Sequence, residues 1–310
     1  MRKALISLIV LVLLLVIATS AYVPLSAPRQ ICTRVAQWDG REAGWHLNRP
    51  MGLAWYDGFL YVADAENGAV KKLRDDGTLV AEWNGFKRPV AVGVMRESVY
   101  IADFLDDRVV KLSSQDGAVV GRWGRHGSGA GEFDAPSGIA VDADEFVYVT
   151  EFYNHRVQKL TGGGVFVSQW GTNGRWNGQF HYPTDVTVSP TGELIVADAY
   201  NHRVEVFKAD GRYLRKWGGI EYGISGKWGG WFRLAKAVAV DAAGNVYVAD
   251  AFNGRIQKFS SDGQLLGAWG GLTSNEDQGL KYASGVAVSR DGLVYVSDFF
   301  KNRISKLSCR

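Results

Sequence analysis

One phrase recurs six times along the chain: VADAENGAVKKL from Val62, IADFLDDRVVKL from Ile101, VTEFYNHRVQKL from Val149, VADAYNHRVEVF from Val196, VADAFNGRIQKF from Val248 and VSDFFKNRISKL from Val296. Its acidic residue, at Asp64, Asp103, Glu151, Asp198, Asp250 and Asp298, returns after 39, 48, 47, 52 and 48 residues. The fifth unit shows what each repeat contains. Ala237–Asp241 is an apolar run, Ala243-Gly244-Asn245 turns the chain, and Val246–Asp250 is a second strand. Arg255–Phe259 alternates as a third strand, Asp262-Gly263 makes a hairpin turn, and Gln264–Trp269 is the fourth. Outside the N-terminal segment no stretch keeps a helical period. The chain is therefore expected to be all-β: a six-bladed β-propeller of four-stranded blades, an arrangement that leaves few sheet edges exposed.

A tryptophan closes the fourth strand each time, at Trp38, Trp83, Trp123, Trp170, Trp217 and Trp269. A large ring at a fixed blade position suits packing between neighbouring sheets, so these six are assigned to structure. The sixth unit stops at Arg310 before any fourth strand, and Thr33–Trp38 supplies the missing one from the other end of the chain. The N-terminal strand is thus expected to close the ring. Aligned on blade five, Cys309 falls at the position of Ser261 and Cys32 at that of Gly263, on either side of a hairpin turn. The only two cysteines are expected to form a disulfide where the chain break removed that turn. Such a bond also agrees with an oxidising location.

The sequence opens Met1-Arg2-Lys3, continues with an apolar run from Ala4 to Ala18, and reaches Thr19-Ser20-Ala21. This is the order of a secretory signal, cleavable after Ser20 or Ala21. Extended to Val23, the run is also long enough to be an uncleaved membrane anchor. Either way residues 1–28 form an export or anchor segment with a short linker. Residues 29–310 form the propeller, placed outside the cytoplasm because Arg2 and Lys3 hold the N-terminus inside. Without those two, 33 basic residues face 32 acidic ones. A near-neutral domain lacks the broad attraction that nucleic acid requires, so no nucleic-acid partner is expected.

The phrase Tyr-Val-Ala-Asp-x-x-Asn-x-Arg-Val, preceded by Pro-x-Gly-Val-Ala-Val, resembles the NHL repeat, best at Tyr182–Phe207 and Tyr247–Phe259. The resemblance covers residues 33–310. It implies the fold but leaves function open, since propellers of this type include binding scaffolds, sensor ectodomains, RNA-binding regulators and peptidylglycine amidating lyase. That lyase holds zinc through histidines at the start of the inner strand. The matching positions here are Met51, Val90, Ser137, Thr184, Lys236 and Ser284, none of them histidine. Gluconolactonase-like propellers hold a cation with axial acidic residues, and only Asp185 qualifies here. No metal or other cofactor is expected.

Candidate residues divide into three groups. The acid and arginine of the repeat, five residues apart in blades two to six, suit a structural pair repeated too often to be catalytic. Blade one has Ala69 in place of the arginine and is expected to be looser there. Asp185 fills a slot otherwise held by Gly52, Ala91, Gly138, Ala237 or Gly285, and Lys236 stands beside the equivalent slot of the next blade. An ion pair at the channel mouth explains both. If they do chemistry, Asp185 is the base and Lys236 the anion contact. Aromatic residues form the third group: Trp176, Trp228 and Trp231 in loops between blades do not recur, and Tyr200 and Phe252 lie in repeat turns of the same face, so these five are ligand-binding candidates. Tyr222 lies in the same long loop as Trp228. His155 and His202 share one turn slot, whereas His46, His126 and His181 lie in linking loops where a three-histidine metal site is conceivable. The expected function is an extracytoplasmic binding scaffold that takes a protein, peptide or glycan on one propeller face, with membrane contact through an uncleaved N-terminus. The alternatives are a divergent lyase or hydrolase at the channel mouth and an RNA-binding module.

Overall fold

The computed structural model describes residues 31–219, 226, 228–271 and 279–309; the stretch expected to be an export or anchor segment, residues 1–28, and Tyr222 lie outside them. Six four-stranded antiparallel sheets form the blades: blade one spans 50–84, blade two 89–123, blade three 136–170, blade four 183–218, blade five 235–270 and blade six 283–309. Blade six is completed by the strand Cys32–Trp38, which pairs with Arg303–Cys309. The inner strands Pro50–Tyr56, Pro89–Met95, Pro136–Val141, Pro183–Val188, Ala235–Val240 and Ala283–Val288 pack side by side around a central channel.

Burial follows radial position. The second strands are buried along their length, Val147–Glu151 and Val246–Asp250 at every residue, because a neighbouring blade covers each face. They read as continuous apolar runs for that reason. Outer strands such as Phe166–Trp170 keep one face in solvent and alternate. Near the axis the backbones crowd. A Cβ on Gly138 would strike Asp185 Cα of the next blade, and one on Gly285 would strike Met51 O. At Gly138 and Gly285 the small residue seen in the sequence is thus a steric requirement.

The closing tryptophans pack between blades. Each ring rests on the glycine of the next blade's outer hairpin: Trp38 on Gly77, Trp83 on Gly117, Trp123 on Gly164, Trp170 on Gly211 and Trp217 on Gly263. Those glycines have φ between 74° and 92°, and a Cβ on any of them would collide with the indole. Two demands, a left-handed backbone and a vacant side chain, converge on one residue. Trp269 has no such turn to meet. It packs instead into the apolar cluster that includes Cys32 and Cys309, which are register partners with Cα atoms 4.0 Å apart and are joined by a disulfide.

The disulfide spans 277 residues of sequence, so the chain-entropy argument assigns it about 5–6 kcal/mol as an upper estimate. Replacing both Cys32 and Cys309 by serine is expected to lower the thermal midpoint by several degrees, up to roughly ten. Calorimetry of the double variant, with reduced wild type alongside, checks this; an unchanged midpoint would show that strand pairing alone closes the ring.

Candidate functional site at the channel mouth

The repeat acid ends the second strand, and its carboxylate captures the backbone of the segment leading into the same blade's inner strand. Asp64 accepts the N–H of Asn48 at 2.7 Å, Asp198 that of His181 at 2.7 Å, and Asp250 that of Arg233 at 2.8 Å. Asp103 takes both Lys87 and Arg88, and Asp298 both Lys281 and Tyr282. The expected arginine pair forms in blades three, four and five, where Arg156, Arg203 and Arg255 donate through Nε at 2.5, 2.7 and 2.8 Å. Blade two departs from it: Arg108 Nε lies 3.4 Å from Asp106 instead. Blade one is not looser, because buried Lys71 brings its ammonium to 2.9 Å from Asp64 and 3.2 Å from Glu82.

One turn slot recurs with a left-handed backbone: Gly68, Asp107, His155, His202, Gly254 and Asn302 have φ between 49° and 60°. Glycine and short polar residues tolerate that conformation best. Three of these side chains also reach across to the next blade's linking segment. Asp107 accepts the N–H of Ala135, His155 Nδ1 that of Tyr182, and Asn302 that of Arg49. His155 is therefore an inter-blade staple.

Where the linking segments meet the inner strands, the channel opens through a mouth cavity of about 170 Å³. Met51, Val90, Ser137, Thr184 and Lys236, aligned in sequence as equivalents, line it together with Arg88, Phe104, Phe152, Tyr200, Leu234 and Tyr282. The hydroxyls at this level tie blades together: Ser137 donates to Pro183 O at 2.8 Å, Thr184 to Lys236 O at 2.8 Å, and Ser284 to Pro50 O at 2.7 Å. Lys236 stands in their place in blade five. Its ammonium makes no hydrogen bond or ion pair among the described residues.

Asp185 lies one step down the channel wall. It does not form the expected direct ion pair with Lys236. Its two oxygens instead accept the backbone N–H groups of Val186 and of Val238 in blade five, both at 2.9 Å. The break in the small-residue slot is thus filled by a carboxylate that bridges two blades. Burial pushes Asp185 up to about 7, against these hydrogen bonds and the charge of Lys236. Burial pushes Lys236 down to about 8; Asp185 opposes that shift and Arg88 adds to it.

Aromatic rings surround the mouth in two arcs. Phe104, Phe152, Tyr182 and Tyr200 are in contact across blades two to four, with Phe152 and Tyr182 centroids 4.6 Å apart. Phe252, Tyr282, Phe299 and Phe300 continue across blades five and six. Arg49, Arg233 and Lys281 sit over rings of the second arc. Beyond the collar, the second residue after the repeat acid is a large exposed apolar side chain in five blades: Leu105, Tyr153, Tyr200, Phe252 and Phe300, each about half exposed. Blade one has Glu66 there, held by Arg88 at 3.1 Å.

Tyr200 and Phe252 therefore belong to this crown. Leu105 was missed in the sequence because an isolated leucine in a turn carries no signal until the six turns are superposed. Trp176 and Trp228 do not line the mouth and stack on no ring of the collar. They are also equivalent to each other, contrary to the expectation that they do not recur: the carbonyl of Trp176 accepts from Arg203 Nη2 and that of Trp228 from Arg255 Nη2. Trp176 is 78% exposed, whereas the indole of Trp231 fills the space beside Gly226 within its own loop. The linking-loop histidines do not converge. His46 borders a separate cavity with Asp39 and Lys301, His181 stacks near His155 and Tyr182, and His126 Nδ1 lies 3.1 Å from Asp107. Asp107, His126 and Asp134 are the one group of potential metal-ligating side chains brought together among the described residues.

Glu205 is a further buried acid, unremarked in the sequence. It stands where blades three and five have Gln158 and Gln257, whose amides donate to Glu132 O and Trp231 O. A carboxylate cannot donate there; Arg203 Nη2 lies 3.4 Å from Glu205 Oε1 as an ion pair, but neither oxygen has a well-formed hydrogen bond among the described residues. Burial and then the nearby Asp198 charge push Glu205 up to about 8, with Arg203 opposing. A carboxyl held above its unfolded value contributes stability that is complete below about pH 4.5 and is lost as pH rises through about 8. Glu205→Gln, which restores the donor, is expected to flatten this decline and to raise stability at pH 8–9 by on the order of a few kcal/mol. Denaturant titrations from pH 5 to 9 on both proteins check it; parallel pH profiles would refute the assignment.

The family model for the NHL repeat matches residues 133–160 and 180–207, the first three strands of blades three and four with their leading residues. A comparison with curated protein sequences finds no match. Among solved structures the chain is similar to a gluconolactonase from Xanthomonas campestris at 15% identity, over 92% of this chain and 96% of that one, with a TM-score of 0.66. It is similar to a protein of unknown function from Bacteroides thetaiotaomicron at 16% identity, over 91% and 76%, with a TM-score of 0.68. Virginiamycin B lyase from Staphylococcus aureus aligns at 11% identity over 90% and 100%, with a TM-score of 0.61. At such identities these likenesses concern the fold alone. The chain is thus a six-bladed β-propeller whose third and fourth blades carry NHL repeats.

Proposed function

We propose that this propeller is an extracytoplasmic binding module that holds a protein, peptide or glycan partner on the face carrying the repeat turns. The observation that carries the proposal is the crown: five blades present a half-exposed Leu, Tyr or Phe at one repeat position around the mouth. Exposed apolar groups concentrated on one face cost solvation and are retained where a partner covers them. The cations stacked on the collar add directional contacts to acidic or aromatic partners. The disulfide suits an oxidising compartment, in keeping with the export segment.

A second reading, a lyase or hydrolase at the mouth, is favoured by Asp185 at about 7 and Lys236 at about 8, values suited to proton transfer near neutral pH. Against it, both oxygens of Asp185 are already engaged by backbone N–H groups. The two readings separate in one comparison. Ligands selected from peptide and glycan arrays by the wild-type domain are expected to bind at least tenfold more weakly to a variant with Tyr153, Phe252 and Phe300 all changed to serine. They are expected to bind undiminished to a variant with Val120 and Val167, exposed on outer strands, changed to serine. Binding indifferent to the crown would refute the module. Turnover of a lactone or peptide substrate that Asp185→Asn abolishes would establish the enzyme in its place.

A further inference from the structure

We propose that the channel mouth is a recognition site for a small organic monoanion, a carboxylate carried on an aromatic or apolar body, with the carboxylate on Lys236 Nζ. The inference rests on the face assigned above as the binding face and gives its centre a ligand class. Three observations meet there. Lys236 is half-buried in the mouth wall and its ammonium has no partner among the described residues, whereas the equivalent hydroxyls of Ser137, Thr184 and Ser284 are all spent on neighbouring blades. A partly desolvated ammonium without an acceptor is an unfavourable arrangement that an incoming anion relieves.

The charge count at the mouth favours a monoanion. Arg88 is engaged by Glu66 at 3.1 Å, which leaves Lys236 as the uncompensated cation of the lining. Asp185 does not compensate it directly, since its oxygens face Val186 and Val238 backbone N–H groups. A dianionic phosphate would bring one charge too many into a site with this carboxylate just below. The walls supply the rest of the selectivity: Phe104, Phe152, Tyr200 and Tyr282 line the same cavity and offer ring faces and edges to an apolar body. A cavity of about 170 Å³ accepts one small ring with its carboxylate, not an extended chain.

Lys236→Met tests the contact with little risk to folding, because blade one carries Met51 at the same position. The probes are 3-phenylpropionate, its neutral isostere 3-phenylpropionamide, and inorganic phosphate, titrated by calorimetry into wild type, Lys236→Met and the crown triple-serine variant. Wild type is expected to bind the acid at least about tenfold more tightly than the amide or phosphate. Lys236→Met is expected to lose that preference with an unchanged thermal midpoint, and the crown variant to keep it. Equal binding of acid and amide, a preference that survives in Lys236→Met, tighter binding of phosphate, or no binding of the acid at millimolar concentration would each overturn the inference. Loss of array ligands in the crown variant is scored separately, so the wider binding face can stand or fall independently of the anion site.

Discussion

A carboxylate at 2% exposure or less closes the second strand of every blade, and burying six such groups is unfavourable unless each is well partnered. The partners are the backbone N–H groups of the segment that descends from the preceding blade, joined by Arg156, Arg203 and Arg255, or by Lys71 in blade one. Because the segment is held by its backbone, its side chains are free to differ. That freedom is what lets six copies of one scaffold present Arg49, Arg88, Tyr182 and Tyr282 at comparable places around a single opening. The arginines extend the same clamp outward, to the carbonyls of the loops that carry Trp176 and Trp228.

Around this clamp the ring closes by repetition of one contact, a tryptophan on the hairpin glycine of the next blade. The contact cannot be made at the junction where the two ends of the chain meet, since no hairpin exists there. The disulfide takes the hairpin's place both covalently and sterically, and it sits within the cluster that buries Trp269. Closure and packing are thus served by the same two cysteines.

The mouth collects the departures from the repeat. Where neighbouring blades place a small residue or a hydroxyl used between blades, blades four and five place Asp185 and Lys236. One is absorbed into the scaffold as a bridge to Val238, and the other is left facing the cavity. Two groups with the same sequence signature, a charge in an uncharged slot, therefore end in different physical states. The crown differs again: its residues obey the repeat, and their significance lies in their shared exposure.

Blade number, strand order, ring closure, the cysteine pair and the inter-blade role of the tryptophans were all legible in the sequence. Each follows from a local pattern repeated at a fixed period, and repetition makes a weak signal strong. The sequence also singled out Asp185 and Lys236, because a repeat exposes its own exceptions. It could not say that Asp185 bonds to backbone rather than to Lys236, that Trp176 and Trp228 occupy one position in loops of unequal length, or that Leu105 joins Tyr200 and Phe252 in a crown. It could not show that Glu205 sits buried in a glutamine's place. Those facts depend on which atoms of different blades come within reach of one another and of water. Only the closed ring, bringing residues far apart in the chain to one axis, decides them.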